Sequence, residues 1–149
     1  MNLGNLIRNL NLADISKYNK LFRYQVFLTN YIDLDWKKHL DLGKLDEFQR
    51  NLVCREDQFE MFIINWPSYW KSKIHDHANN GCLLKVLDGN LEETIYTPQL
   101  EVIQTNYLRK NRVGYLDNTI GLHSVKNIDN SNSVSIHVYS PPRHKTEYF

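Results

Sequence analysis

No stretch of this sequence stays apolar for long enough to cross a membrane as a helix. Nor is there an excess of charge of either sign. The 18 Lys+Arg and 17 Asp+Glu leave a formal net charge of +1. No basic tail or charged face is therefore offered to nucleic acid or to an anionic membrane, and neither is expected as a partner. The first residues, Met1 to Asn5, lack a basic stretch leading into an apolar one, so no secretory signal is expected. Cysteine is scarce, with only Cys54 and Cys82. Without a signal the expected compartment is the cytoplasm, where both would start as thiols. No internal repeat, low-complexity tract or interdomain linker is evident. The 149 residues, 42% of them hydrophobic, suit one domain (1–149) with a sizeable core.

Residues 1–47 read as a helical layer. Leu3, Leu6, Ile7 and Leu10 recur at helical spacing. Asp14 is a plausible N-cap for a second helix covering Tyr18, Leu21 and Phe22. Asp33 or Asp35 would cap a third, running through Trp36 and Leu40 to a stop near Gly43. Residues 48–149 read as β-structure. From Gln58 to Trp66, Phe59, Met61 and Ile63 share one face while Phe62, Ile64 and Trp66 share the other. A strand apolar on both faces is a buried one. Further strands are expected over Lys73 to His77, Cys82 to Leu87, Leu91 to Thr97, Val102 to Leu108, Arg112 to Leu116 and Ser133 to Tyr139. Asp88-Gly89-Asn90 reads as a hairpin turn, and so does Lys110-Asn111. Short strands at regular spacing predict a mainly β fold, a closed barrel or sandwich.

The chemistry is concentrated in Ile74-His75-Asp76-His77-Ala78-Asn79-Asn80-Gly81-Cys82. Residues i and i+2 of a strand point to the same side, so His75 and His77 can reach one metal ion while Asp76 faces away. His123 is the best candidate for a third ligand. Three neutral imidazoles leave a divalent metal with its full charge, which favours a substrate bringing its own anion, such as a thiolate.

His75, His77 and Gly89, with His123 and Asn127 downstream, resemble the two motifs of the cupin barrel, a jelly-roll-like β-barrel. Cys82 stands where cupins usually place a glutamate. The chain from about Asp46 to Pro142 also resembles the cysteine dioxygenase family. The motifs are Arg50-Asn51-Leu52-Val53, Ile74-His75-Asp76-His77, Cys82 through Gly89-Asn90-Leu91 to Glu93-Thr94, Gly121-Leu122-His123, and Ser135-Ile136-His137-Val138-Tyr139-Ser140-Pro141-Pro142. Their order and spacing together are highly specific.

The resemblance implies a cupin β-barrel with an N-terminal helical layer. It implies Fe(II) held by His75, His77 and His123, and L-cysteine oxidised with O2 to cysteine sulfinic acid. Arg50 would grip the substrate carboxylate through its guanidinium fork. Relatives acting on 3-mercaptopropionate tend to carry glutamine there, so Arg50 favours cysteine. Ser135, His137 and Tyr139 alternate along one strand face. The resemblance makes them an outer relay, in which Ser135 holds His137 and His137 orients the Tyr139 hydroxyl. Cys82 and Tyr139 are the pair expected to form a thioether cross-link. Trp66 would sit near the pocket. Phe48 replaces a tyrosine whose hydroxyl helps to hold the carboxylate, which implies weaker substrate binding here. Vertebrate members continue past the position of Phe149 with further strands, so a thinner pocket wall is expected. A monomer is expected. The alternatives carried are a dioxygenase for another small thiol and a metal-binding cupin without activity.

Overall fold

The computed structural model describes all 149 residues. Helix α1 (Leu3–Leu12) turns Leu3, Leu6 and Leu10 inward, as their spacing predicts. Asn2 caps it, its side-chain oxygen accepting from Asn5 N at 2.9 Å. Asp14 caps nothing. Ser16 Oγ instead takes the N–H groups of Tyr18 and Asn19 at 3.2 and 3.0 Å, closing a local turn. Tyr18 is left exposed. The second helical segment starts later than expected, as a 3₁₀ turn over Leu21–Tyr24 that runs into α2 (Gln25–Asn30). The third helix is a 3₁₀ turn, Asp35–His39, followed by a shorter one at Leu42–Lys44. Asp35 binds back to the first layer, accepting from Leu3 N at 2.9 Å and from the Tyr31 hydroxyl at 2.7 Å.

The remaining chain makes eight strands: β1 (Gln49–Arg55), β2 (Glu60–Trp66), β3 (Cys82–Asp88), β4 (Asn90–Tyr96), β5 (Val102–Arg109), β6 (Val113–Leu116), β7 (Leu122–Asn127) and β8 (Ser133–Tyr139). They form a five-stranded sheet, β1-β2-β8-β3-β6, facing a three-stranded sheet, β5-β4-β7. All pairs are antiparallel. The predicted two-faced strand explains the layering. Phe59, Met61 and Ile63 pack outward under the helices, with Leu6, Leu10 and Leu28. Phe62, Ile64 and Trp66 pack inward between the sheets, with Leu84, Leu91 and Val125.

Both expected hairpins are corners instead. Asp88-Gly89-Asn90 leads from β3 in the large sheet to β4 in the small one. β3 cannot pair with β4 because β8 and β6 already occupy its two edges. Gly89 still makes the turn at φ +78°, where a Cβ would collide with the Ser133 side chain. Lys110-Asn111 likewise carries the chain from β5 to β6, across the two sheets. The true hairpin joins β4 to β5.

One buried cation holds the two layers together. Lys85 lies in apolar β3 at 1% exposure. Its Nζ donates to the carbonyls of Leu28, Thr29 and Tyr31 at 3.0, 3.3 and 2.6 Å. These are groups at the C-terminal end of α2, where backbone carbonyls lack helical partners and a cation is favoured. Burial lowers the Lys85 pKa. Lys85→Met is expected to destabilise the fold by about 2 kcal/mol, because the carbonyls stay buried without a donor. In a chain of this size that lowers Tm by roughly 5 °C. Thermal melts of the two proteins check it, and an unchanged Tm would refute the staple.

Candidate metal centre

His75, His77 and His123 converge, each offering a ring nitrogen within 4.8 Å of the others. His123 is held on β7. The expected strand over Lys73 to His77 does not form; the segment is extended but only bridged. His75 and His123 exchange backbone bonds, His75 N to His123 O at 3.0 Å and the reverse at 3.2 Å. Ser72 N donates to Val125 O at 2.8 Å one step earlier. Those few rungs suffice to turn His75 and His77 to one side. Asn118 fixes the far end. Its amide accepts from His77 N at 2.9 Å and donates to His77 O at 3.0 Å.

Hydrogen bonds assign the ring tautomers. His75 Nδ1 donates to Lys73 O at 2.7 Å, so its Nε2 carries a lone pair. His123 Nδ1 donates to Glu93 Oε2 at 2.8 Å, so its Nε2 does too. The two Nε2 atoms stand 3.0 Å apart. Two lone pairs at that distance repel unless a cation lies against both. Both nitrogens of His77 are buried without any partner. Orphaned buried nitrogens of this kind call for an explanation, and a shared metal ion would supply a partner for one of the two. Burial is the leading cause that lowers the pKa of all three rings, keeping them in the neutral form a ligand needs. The donor set fits a divalent ion that accepts imidazole and keeps open positions.

The triad opens into a cavity of about 480 Å³. Phe48, Arg50, Trp66, His137 and Tyr139 also line it. Phe48 stacks on Trp70 with ring centroids 4.0 Å apart. The Arg50 guanidinium lies 3.7 Å from the Phe62 ring centroid and 5.3 Å from that of Tyr139. No carboxylate of the chain forms an ion pair with Arg50. An unpaired guanidinium on aromatic rings inside a cavity is a ready site for an anion.

Ser135 and Cys82 lie behind the cavity wall. Trp66 Nε1 donates to Ser135 Oγ at 2.9 Å. Ser135 and His137 Nε2 are 2.8 Å apart, and His137 Nδ1 and the Tyr139 hydroxyl 3.1 Å. Indole can only donate, so Ser135 Oγ accepts from Trp66. With the Ser135 hydroxyl donating to His137 Nε2, the neutral ring carries its proton on Nδ1 and donates it to the Tyr139 oxygen. The Tyr139 hydroxyl proton is then free to face the cavity. Trp66 thus heads the relay as well as lining the pocket. Burial raises the Tyr139 pKa, so the phenol keeps its proton near neutrality. Cys82 and Tyr139 are direct cross-strand partners on β3 and β8. Burial raises the Cys82 thiol, with the Glu93 charge adding to it.

Three elements of the site carry no signal of their role in the sequence. Glu93 is 4% exposed and bonded to His123. It belongs to a motif, but the motif does not name its partner. Asn118 falls outside every motif. The third is the C-terminal segment, which supplies His144, Thr146 and Tyr148 to the cavity wall. Asp76 anchors it, taking His144 Nε2 at 3.0 Å and Glu147 N at 2.9 Å. Asn127, the last residue of the cupin-like motif, lies away from the three histidines. Its amide donates to Trp66, Pro67 and Ser131 carbonyls at 3.0, 3.1 and 2.8 Å. No helix is long and apolar enough to cross a membrane.

Comparison with known proteins gives a family and a fold. The family model described as cysteine dioxygenase type I matches residues 10–149. Human cysteine dioxygenase type 1 is 39% identical over 110 residues, covering 67% of this chain and 55% of the human protein. The chain therefore spans about half the length of the curated relatives it matches. A conserved protein with a double-stranded β-helix domain from Klebsiella pneumoniae superposes with a TM-score of 0.62 at 12% identity, covering 75% of this chain and 91% of that one. A cupin superfamily protein from Desulfitobacterium hafniense superposes with a TM-score of 0.53 at 9% identity, covering 64% and 78%. The two structures bear on the fold alone, which is the mainly β cupin barrel that the sequence predicted.

Proposed function

The chain belongs to the cysteine dioxygenase type I family, and from that membership we propose that it is an iron-dependent cysteine dioxygenase. L-cysteine is the substrate, and both atoms of O2 end on its sulfur as cysteine sulfinic acid. The observation that carries this reading is the set of unpartnered imidazole nitrogens facing a cavity that also holds an unpaired arginine. Fe(II) held by His75, His77 and His123 supplies the electron chemistry with O2. Arg50 takes the substrate carboxylate through two parallel bonds. The Tyr139 hydroxyl, its oxygen already bonded to His137, offers its proton to the substrate side. Phe48, Trp66 and Trp70 exclude water from the reacting sulfur. Two free cysteines suit the reducing cytoplasm, where the protein would act on a free small thiol as a monomer.

The test is oxygen uptake by anaerobically iron-loaded protein, with L-cysteine and 3-mercaptopropionate side by side and products identified by mass. Cysteine sulfinate, formed at one O2 per cysteine, is expected. Preference for 3-mercaptopropionate would keep the chemistry and overturn the substrate. No uptake despite bound iron would leave an inactive metal-binding cupin.

The same reading has Cys82 and Tyr139 joining during turnover. A C–S bond forms, the S–H and one ring C–H are lost, and the two hydrogens with their electrons go to O2. Intact-mass spectrometry should show the protein lighter by two hydrogens after turnover with cysteine. An unchanged mass would exclude the thioether.

A further inference from the structure

Glu93 is a buried acid with no cation of the chain beside it. It is 4% exposed and lies on the inner face of β4. Its two hydrogen-bond donors are Asn106 Nδ2, at 3.2 Å on Oε1, and His123 Nδ1, at 2.8 Å on Oε2. Its ion-pair contact is with His123 alone, and no lysine or arginine reaches it. A buried carboxylate left without a counter-charge is costly, and a neutral ring does not supply one. The sheet register explains how the contact arises. Glu93 pairs with Val125 and Ile95 with His123, two rungs apart on the same face of β4 and β7, so Glu93 and His123 meet diagonally.

We infer that Glu93 is the counter-ion of the metal centre and acts through the imidazole of His123. This rests on the metal centre proposed above. The hydrogen bond fixes the His123 tautomer, turns Nε2 towards the ion, and makes that nitrogen a stronger donor. The carboxylate also offsets one unit of the ion's charge from outside the ligand set. The expectation that three imidazoles leave the metal with its full charge is thereby revised: the anion is present, one residue further out. Glu93 is a positioning residue, because it touches neither substrate nor metal.

A purely structural Glu93 and a counter-ion Glu93 make opposite predictions for the apo protein. Glu93→Gln keeps an oxygen for His123 and removes only the charge. The apo variant should melt no lower than wild type, since an uncompensated buried charge is gone. Its Fe(II) affinity, titrated anaerobically against a competing chelator, should fall about 10- to 100-fold. The midpoint potential of bound iron should move upward, because less negative charge faces Fe(III). Glu93→Asp keeps the charge and should bind Fe(II) more tightly than E93Q. Wild-type protein that binds iron tightly, with E93Q equal to it, would overturn the role of Glu93 alone. E93Q with a much lower apo melting temperature and unchanged affinity would make Glu93 structural. Wild-type protein that does not bind Fe(II) would overturn the metal centre and this inference together.

Discussion

Replacing His77 with alanine is expected to abolish tight Fe(II) binding and leave the fold standing. The two effects separate because the ring makes no hydrogen bond with either nitrogen, although it is 1% exposed. Its removal breaks no polar partnership. It leaves only a small void that opens on the existing cavity, so the apo protein should lose no more than about 1–2 kcal/mol, well below the usual cost of emptying a closed core. The metal loses one of three protein ligands. Changes one shell further out already cost about 10- to 100-fold in affinity, so deletion of a ligand should exceed the upper figure. Anaerobic chelator competition measures this directly. Melting with and without iron gives an independent reading. A saturating ligand at 100 times its Kd stabilises the folded state by about 2.7 kcal/mol, and that increment should vanish in the variant. An H77A protein that still binds Fe(II) as wild type does would remove His77 from the ligand set.

Most of the strands and the clustering of the three histidines were legible because each leaves a local mark. β2 alternates apolar residues on both faces, which only a doubly covered strand does. His75 and His77 are two apart, and extended backbone alone turns them together, even where no regular strand forms. The corners were misread for a physical reason. Asp-Gly says that the chain reverses, but strand pairing depends on which edges other strands have taken. β8, from the end of the chain, sits between β2 and β3 and displaces the local partner. The partners of the supporting polar residues left no mark. Glu93 acts on a residue 30 positions away, Asn118 on one 41 away, and Lys85 on a carbonyl 54 away. Each depends on the finished barrel. Read in sequence, Lys85 interrupts an apolar strand and looks like a surface residue.

Arg50→Gln is expected to raise KM for L-cysteine far more than it lowers kcat. The guanidinium is exposed to the cavity, rests on Phe62 and forms no ion pair with the chain, so its loss should not disturb the fold. On the proposed function it gives a forked, charge-assisted grip on a carboxylate. That grip is made as strongly before the reaction as during it, so it belongs to binding and appears in KM. Hydrogen bonds to charged groups contribute about 1.5–3 kcal/mol, and a loss near 3 kcal/mol corresponds to roughly a hundredfold in kcat/KM. Glutamine retains one neutral donor and the ability to accept. Both thiols carry a carboxylate and both should lose affinity; because relatives acting on 3-mercaptopropionate tend to carry glutamine at this position, the preference for cysteine should narrow or reverse. Arg50→Lys separates charge from shape. A lysine keeps the positive charge but not the planar fork, and should recover only a minor part of the loss. Added salt should raise wild-type KM and leave that of R50Q nearly flat, since only the first depends on an ionic contact open to solvent. Full recovery by R50K would make charge alone the determinant. An R50Q enzyme with wild-type KM for L-cysteine would place the carboxylate elsewhere in the cavity.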